Sequence, residues 1–294
     1  MWKKFLLSQH SLMQPVVHIC KNCNNSFSGK YCNHCGEKLY HEKDKSLFHL
    51  FEEGLHFLTH FDGKFFNTLK KIFTKPGQLS VDYCKGKRKT YFKPLSLFLL
   101  LVVVYLLFPV FEGLNMKLYY HTHHMFYGKY AMQESREIMI HKHLADEQLT
   151  VLFQQKSEKT SKFLLLILLP LTALFFWLLT FKKRKYFFDQ MVFSAEINCM
   201  YLLWGFLLLP VLLFISERIY HLVTNTYFDV GDTALGLITY AVLCTYAGVG
   251  ARRFYKITKW QCVGFAILFY IAHLIIVQYI YKFILFYIVI HQIH

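Results

Sequence analysis

The stretch that decides the fold is residues 163–181, FLLLILLPLTALFFWLLTF, which contains no charged side chain. A helix needs about 20 apolar residues to cross the hydrocarbon core of a bilayer, so this stretch predicts a transmembrane helix. Further apolar runs lie at about 95–111, 191–215, 234–251 and 262–290. The sequence therefore predicts a mainly α, polytopic helical membrane protein with about five transmembrane helices.

The composition supports this class. Hydrophobic residues make up 55% of the 294 residues and charged residues only 17%, whereas soluble domains average about 25% charged residues. The net charge is +15 with histidine neutral, and the basic residues lie beside the apolar runs. No recognition helix or RNA-binding signature accompanies them, so the charge indicates an anionic lipid surface and no nucleic-acid partner is expected.

The basic residues also predict how the helices are oriented. Residues 1–94 hold 16 Lys and Arg, and 182–185 and 251–259 hold four each. The connection 112–162 holds seven, offset by six acidic residues. By the positive-inside rule the three basic segments face the cytoplasm and 112–162 faces outward. The expected location is the cell inner (cytoplasmic) membrane with a cytosolic N-terminus, and the alternative for the fifth run is a re-entrant ending.

A cysteine-rich head precedes the first apolar run. Each CxxC turn directs two thiolates at one metal ion, and two such turns complete the tetrahedral set of a structural zinc site. The sequence therefore predicts a cytosolic zinc-ribbon head at residues 1–45, folded mainly by zinc, with Gly36 in the tight turn after the second pair. The predicted ligands are Cys20, Cys23, Cys32 and Cys35.

Residues 46–94, the bridge, connect the head to the membrane domain at 95–294. Apolar residues recur there at helical spacing, and Pro76 with Gly77 predicts a break. The bridge contains no charge-free run long enough to cross a bilayer, so we expect an amphipathic, basic segment at the membrane interface. Its cluster KGKRKTYFK (85–93) is expected to bind anionic headgroups at the cytoplasmic face. A phosphoanion pocket is the alternative, without a P-loop to support it.

Ionisable side chains at membrane depth are candidate functional residues. Glu196 is the foremost of them, with Asp189 about two turns earlier at the membrane surface and His273 inside the fifth run. In the alternative interpretation Glu196 lies at headgroup depth and pairs with Lys185 or Arg252. His273 would then form a helix–helix hydrogen bond.

The outward connection 112–162 is rich in histidine. Clustered neutral imidazoles can bind Zn, Cu or Ni, and the alternative is a polar, partly helical loop without a metal. The weak candidate ligands are His121, His123, His124, His141 and His143.

Three segments resemble the proteins grouped as domain-of-unknown-function family 3667. They are CKNCNNSFSGKYCNHCGEK (20–38), FFDQMVFSAEINCM (187–200) and the bridge. The resemblance implies a bacterial integral membrane protein with a zinc-ribbon head, and it implies no activity. Glu196 stands where the family usually has a histidine. In the bridge the family pattern matches Asp62, Phe65, Thr68, Pro76, Tyr83, Gly86, Lys87, Arg88, Tyr91 and Pro94.

No catalytic motif stands out in the sequence, since GxSxG, HExxH and suitably spaced carboxylate pairs are all absent, so an enzyme is the less favoured class. The leading hypothesis is a membrane-anchored interaction or assembly protein whose zinc ribbon binds a protein partner. The alternative is a transporter or lipid-handling protein that uses Glu196 and His273. The residues expected to meet at a functional site are Asp62, Gly86, Lys87, Arg88, Glu196 and Arg253.

Overall fold

The computed structural model describes residues 17–39, 63–107, 114–226 and 230–293. The head contains two antiparallel strands, β1 (Val17–Ile19) and β2 (Ser26–Ser28). The shorter helices that follow are α1 (Gly63–Thr74), α2 (Gln78–Cys84), α3 (Pro94–Leu107), α4 (Leu118–His123) and α5 (Gly128–Lys142).

Within the described residues, four helices are long and apolar enough to cross a membrane. The first apolar run forms α3, which has 14 residues and is shorter than these four. The predicted mainly α, polytopic membrane fold is confirmed. The long helices are α6 (Asp146–Thr180), α7 (Phe187–Thr224), α8 (Asp232–Tyr255) and α9 (Lys259–Ile293).

Helix α7 is the centre of the bundle. It packs against α2, α3, α6 and α8. The Phe193 ring stacks on Phe254 of α8 at 4.8 Å and lies tilted against Phe176 of α6 at 5.1 Å. A π-helical segment, Leu203–Leu208, interrupts α7. Before it almost every side chain is buried, and beyond it Leu209 alone is buried among the described residues up to Thr224. The π-helical segment therefore marks the point at which α7 leaves the bundle.

The three basic segments lie at one end of the bundle. Arg184 Nε donates to the carbonyl oxygen of Phe254 at 3.2 Å, and the Arg253 guanidinium donates to the carbonyl oxygen of Pro76. These contacts bring 182–185, 251–259 and the bridge together.

The opposite end holds the last turn of α9. The ammonium group of Lys142 donates to the carbonyl oxygen of Ile293, and that of Lys156 donates to the carbonyl oxygen of Gln292 at 2.7 Å. Lysines at a helix C-terminus satisfy carbonyl groups that lack partners within the helix. The fifth apolar run thus forms one helix that extends from one end of the bundle to the other and is long and apolar enough to cross a membrane. A second π-helical segment, Ile275–Tyr281, lies within this helix.

The bridge contributes to the core of the membrane domain. Ile72 of α1 and Leu79 and Tyr83 of α2 are fully buried, and the hydroxyl of Thr68 accepts the Phe92 N–H at 2.7 Å. The predicted break is confirmed, because α1 ends before Pro76 and α2 begins after Gly77. One face of the bridge is therefore packed against the helical bundle.

Candidate functional site

The four predicted cysteine ligands lie together in the head. Their Sγ atoms are all within 4.8 Å of one another, with 3.5 Å between Cys20 and Cys35 and 3.7 Å between Cys23 and Cys32. A tetrahedral zinc ion with Zn–S bonds of about 2.3 Å separates its thiolates by about 3.8 Å. The cluster therefore fits a four-thiolate metal site, and these cysteines can hold a metal ion.

Two equivalent turns build this cluster. In each, the amide of the first cysteine, Cys20 or Cys32, donates to a carbonyl five residues later at 2.8 Å. Each turn then has a residue with a left-handed backbone directly after its second cysteine, Asn24 with φ 61° and Gly36 with φ 65°. Gly36 was expected from the sequence. Asn24 was missed, although its place after CxxC and the tolerance of Asn for this conformation are signals for it.

The head is fixed to the bridge by hydrogen bonds from residues 88–90. Oε2 of Glu37 accepts the backbone N–H of Lys89 at 2.8 Å and that of Arg88 at 3.2 Å. The side-chain carbonyl of Asn22, in the other turn, accepts the Thr90 hydroxyl. Two consecutive amides form the kind of site that binds an anion. The sequence offered a phosphoanion pocket as an alternative for this basic cluster. At these two amides the group that is bound is the Glu37 carboxylate of the protein itself.

The glycine of the GKR sequence ends α2. Gly86 has φ 94°, its N–H donates to the Tyr83 carbonyl at 3.0 Å, and the Lys87 N–H donates to the Asp82 carbonyl at 2.9 Å. These two bonds form a Schellman motif, in which the left-handed residue is usually Gly because a Cβ would be strained there. Gly86 and Lys87 therefore turn the chain from α2 towards the head.

The arginine of the same sequence packs against two aromatic rings. The guanidinium carbon of Arg88 lies 4.7 Å from the centre of the Tyr83 ring and 5.6 Å from that of Phe188. Tyr83 belongs to α2 and Phe188 to α7, so this cation–π arrangement joins the bridge to the bundle.

Asp189 is buried within the protein. Its Oδ2 accepts from Arg184 Nη1 at 3.0 Å. The Arg184 guanidinium also lies 3.9 Å from the centre of the Phe254 ring. Burial is tolerated because the charge of Asp189 is paired and because the first turn of a helix favours an acidic side chain.

Glu196 is fully buried on α7 and receives four hydrogen bonds. Oε1 accepts the N–H of Gly77 at 2.7 Å and the hydroxyl of Tyr246 at 3.1 Å. Oε2 accepts the N–H of Ser80 at 2.8 Å and its hydroxyl at 2.5 Å. The predicted alternative, in which Glu196 pairs with Lys185 or Arg252, is not what the structure shows.

This carboxylate caps α2 from a distant part of the chain. The first amides of a helix have no acceptor within the helix itself, and a side chain next to them in sequence usually supplies one. Gly77 is the N-cap of α2 and its own side chain supplies no acceptor. Glu196, 119 residues later, supplies it instead.

The Pro76–Gly77 turn fits closely against α8. A Cβ added to Gly77 would lie 2.4 Å from the carbonyl oxygen of Gly250, and Gly77 has φ 75°. Arg253, one turn further along α8, donates to the Pro76 carbonyl. The structure thus brings Gly86, Arg88, Asp189, Glu196 and Arg253 to one junction between bridge and bundle. Asp62 lies outside the described residues.

His273 lies apart from this junction. It is 2% exposed, and its Nδ1 is 3.4 Å from the Tyr240 hydroxyl on α8. The Tyr201 and Phe269 rings pack against its imidazole at 5.3 and 5.4 Å. These contacts fit the interhelical hydrogen bond that was the alternative interpretation.

The outer histidines do not form a common site. Within the described part of the chain, the only group of three or more His, Cys, Asp or Glu that could hold a metal is the four cysteines. His121 is fully buried with its Nδ1 2.7 Å from the Tyr127 hydroxyl, and burial together with the Lys282 charge lowers its pKa to about 3. His123 stacks on Tyr119 at 4.5 Å.

Three residues of the junction were missed by the sequence analysis. Glu37 follows the CNHCG turn directly, which places it beside the head's own ligands. Ser80 is three residues after Gly77, the spacing at which helix-capping bonds form. Tyr246 carried no local signal, because its partner Glu196 is 50 residues away.

The fold and the junction together define the class: a polytopic helical membrane protein with a four-cysteine head fixed to one end of its helices. Residues 62–106 match the model of the family described as "Protein of unknown function (DUF3667)". The family resemblance is therefore confirmed over most of the bridge and over α3. No curated protein and no solved structure matches the chain.

Proposed function

We propose that this protein is a membrane-anchored interaction or assembly protein whose zinc-bound head presents a surface to a protein partner. The metal in this proposal is zinc, because four thiolates at tetrahedral spacing are the ligand set of structural zinc sites. Four protein ligands leave no open position on such an ion, so the role of the metal is structural.

The observation that carries this proposal is the attachment of the head to the bridge. Glu37 is 8% exposed, and its carboxylate accepts the amides of Arg88 and Lys89. Arg88 and Glu196 in turn join the bridge to α7. The head is therefore held in a defined position at one end of the bundle, as a presenting surface requires.

The same contacts support a cytosolic head. The end that holds the head also holds the basic segments 182–185 and 251–259, and excess Lys and Arg marks the cytoplasmic side of membrane proteins. We place this end at the cytoplasmic face of a bacterial inner membrane, where the exposed basic side chains contact anionic headgroups.

The transport alternative has less support from the geometry. All four hydrogen bonds to Glu196 come from the protein itself. His273 contacts a separate set of residues. A path for cargo past both side chains would first have to break the cap of α2.

Site-specific photo-crosslinking in cells tests the proposal. The crosslinking amino acid replaces Tyr31, a head residue that is 60% exposed. We expect a discrete protein adduct that is lost in Cys32→Ser/Cys35→Ser, which removes metal ligands. Glu37→Gln, which keeps all four thiolates, should weaken the adduct while the purified protein retains its zinc. Full retention of the adduct by the zinc-free protein would overturn the proposal.

A further inference from the structure

An open groove of about 400 Å³ lies on the outer face of α8, beside the bridge. Its lining is almost wholly apolar, and it comprises Pro76 of the bridge and Ala241, Val242, Thr245, Tyr246 and Val249 of α8.

The groove follows one stripe of the helix. Ala241, Thr245 and Val249 recur every four residues, so they share a face of α8, and all three are exposed. Ala241 and Thr245 are small, which keeps the groove open. The Thr245 hydroxyl donates to the Ala241 carbonyl at 2.7 Å, so its polar group is already satisfied. Since α8 is long and apolar enough to cross a membrane, this stripe faces hydrocarbon and suits an acyl chain.

The bridge end of the groove is cationic. Arg252 is exposed and lies three residues after Val249, so it continues the same stripe. Arg253 donates to the carbonyl of Pro76, a residue of the groove wall. Lys75, directly before Pro76, is exposed. The C-terminus of α8 carries only about half a negative charge, which these three cations outweigh.

We propose that this groove binds one anionic membrane phospholipid. An acyl chain lies along Val249, Thr245 and Ala241, and the phosphate contacts Lys75 and Arg252. The argument is charge complementarity: an apolar stripe in a membrane-spanning helix ends among cations at the side where the basic segments meet. A zwitterionic lipid fills the same stripe but gains no net attraction from the cationic end.

Native mass spectrometry of the full-length protein tests this proposal. The protein is titrated in detergent with phosphatidylglycerol and, separately, with phosphatidylcholine. Each basic residue beside an anionic headgroup strengthens binding by about 5-fold, so Lys75→Gln/Arg252→Gln should weaken the first phosphatidylglycerol by about 30-fold. The matched control is Lys182→Gln/Lys183→Gln, which removes two exposed charges near the same end.

A second variant tests the groove itself. Thr245→Trp fills the stripe without changing charge, and it should abolish tight binding of the first lipid while metal content and monodispersity stay unchanged. Three results would overturn the proposal: equal affinity for the two lipids, an equal loss in the Lys182/Lys183 control, or full binding by Thr245→Trp.

Discussion

The Glu196→Gln variant tests the cap of α2 at the junction between bridge and bundle, and it changes very few atoms. Glutamine keeps the size of glutamate and replaces one acceptor oxygen by an NH₂ donor. The amides of Gly77 and Ser80 donate to different oxygens of the carboxylate. Whichever way the new side chain is oriented, one of these two backbone N–H groups faces the NH₂ and loses its acceptor.

The size of the effect follows from which partners can adapt. The hydroxyls of Ser80 and Tyr246 can rotate to accept a hydrogen bond, whereas a backbone amide cannot. A buried donor without an acceptor costs about 1–3 kcal/mol, and more where the lost partner was charged. We therefore expect a destabilisation of about 2–4 kcal/mol, against a typical total stability of about 5–15 kcal/mol.

Hydrogen exchange measured by mass spectrometry reports this opening locally. Amides of α2 in Glu196→Gln should exchange roughly 30- to 1,000-fold faster, the rate equivalent of that energy. The control is Glu217→Gln on the same helix, because Glu217 is partly exposed in the stretch of α7 outside the bundle. Unchanged exchange in α2, or the same acceleration in the control, would refute the cap.

Three further outcomes are expected. Cys32→Ser/Cys35→Ser should lose its bound metal when the purified protein is analysed by elemental mass spectrometry, and stoichiometric metal in that variant contradicts the four-thiolate site. Gly77→Ala should lower the free energy of unfolding by about 2–5 kcal/mol, because the added Cβ is strained in the left-handed backbone and also clashes with an α8 carbonyl. The control is Gly29→Ala, which has the same backbone strain but no atom within 4 Å of the added Cβ. It should lower the free energy of unfolding by only about 1–2 kcal/mol. Burial lowers the pKa of His121 in the folded protein to about 3, from its ordinary 6.5. As the pH falls, the unfolded chain therefore takes up this proton before the folded protein does. The free energy of unfolding should decline by about 1.4 kcal/mol per pH unit below pH 6.5. Melting temperatures at pH 7 and pH 5 should show this decline and His121→Phe should lessen it, so an equal decline in that variant contradicts the assignment.

Much of the fold could be predicted because its signals are local. A run such as 163–181 is apolar over a length that spans a bilayer, so its own residues are enough to predict a transmembrane helix. The π-helical segment Leu203–Leu208 could not be predicted, since the residues on both sides of it are equally apolar. Neighbouring helices bury the first part of α7 and leave the second part exposed. Hydropathy along the sequence does not show which helices become neighbours.

The site divides in the same way. The cysteine spacing predicted the metal cluster, because each turn is short and its geometry depends on a few adjacent residues. Glu196 was predicted as a buried acid, but its partners lie 50 to 119 residues away, beyond any periodic pattern. The pairing of Asp189 with Arg184 was not predicted. Arg184 reaches Asp189 through a turn between two helices, and that turn follows from packing.

The long-range cap of α2 has a consequence for the order of events during biosynthesis. A ribosome adds Gly77 to the chain 119 residues before Glu196, which at about 5–20 residues per second is a delay of roughly 6–24 s. During that interval α6 must be made and begin to insert, while α2 lacks its cap. The head is synthesised before α7 but reaches its final position only after α7 has been made. The N-terminal part of the chain therefore depends on a later segment for its final packing.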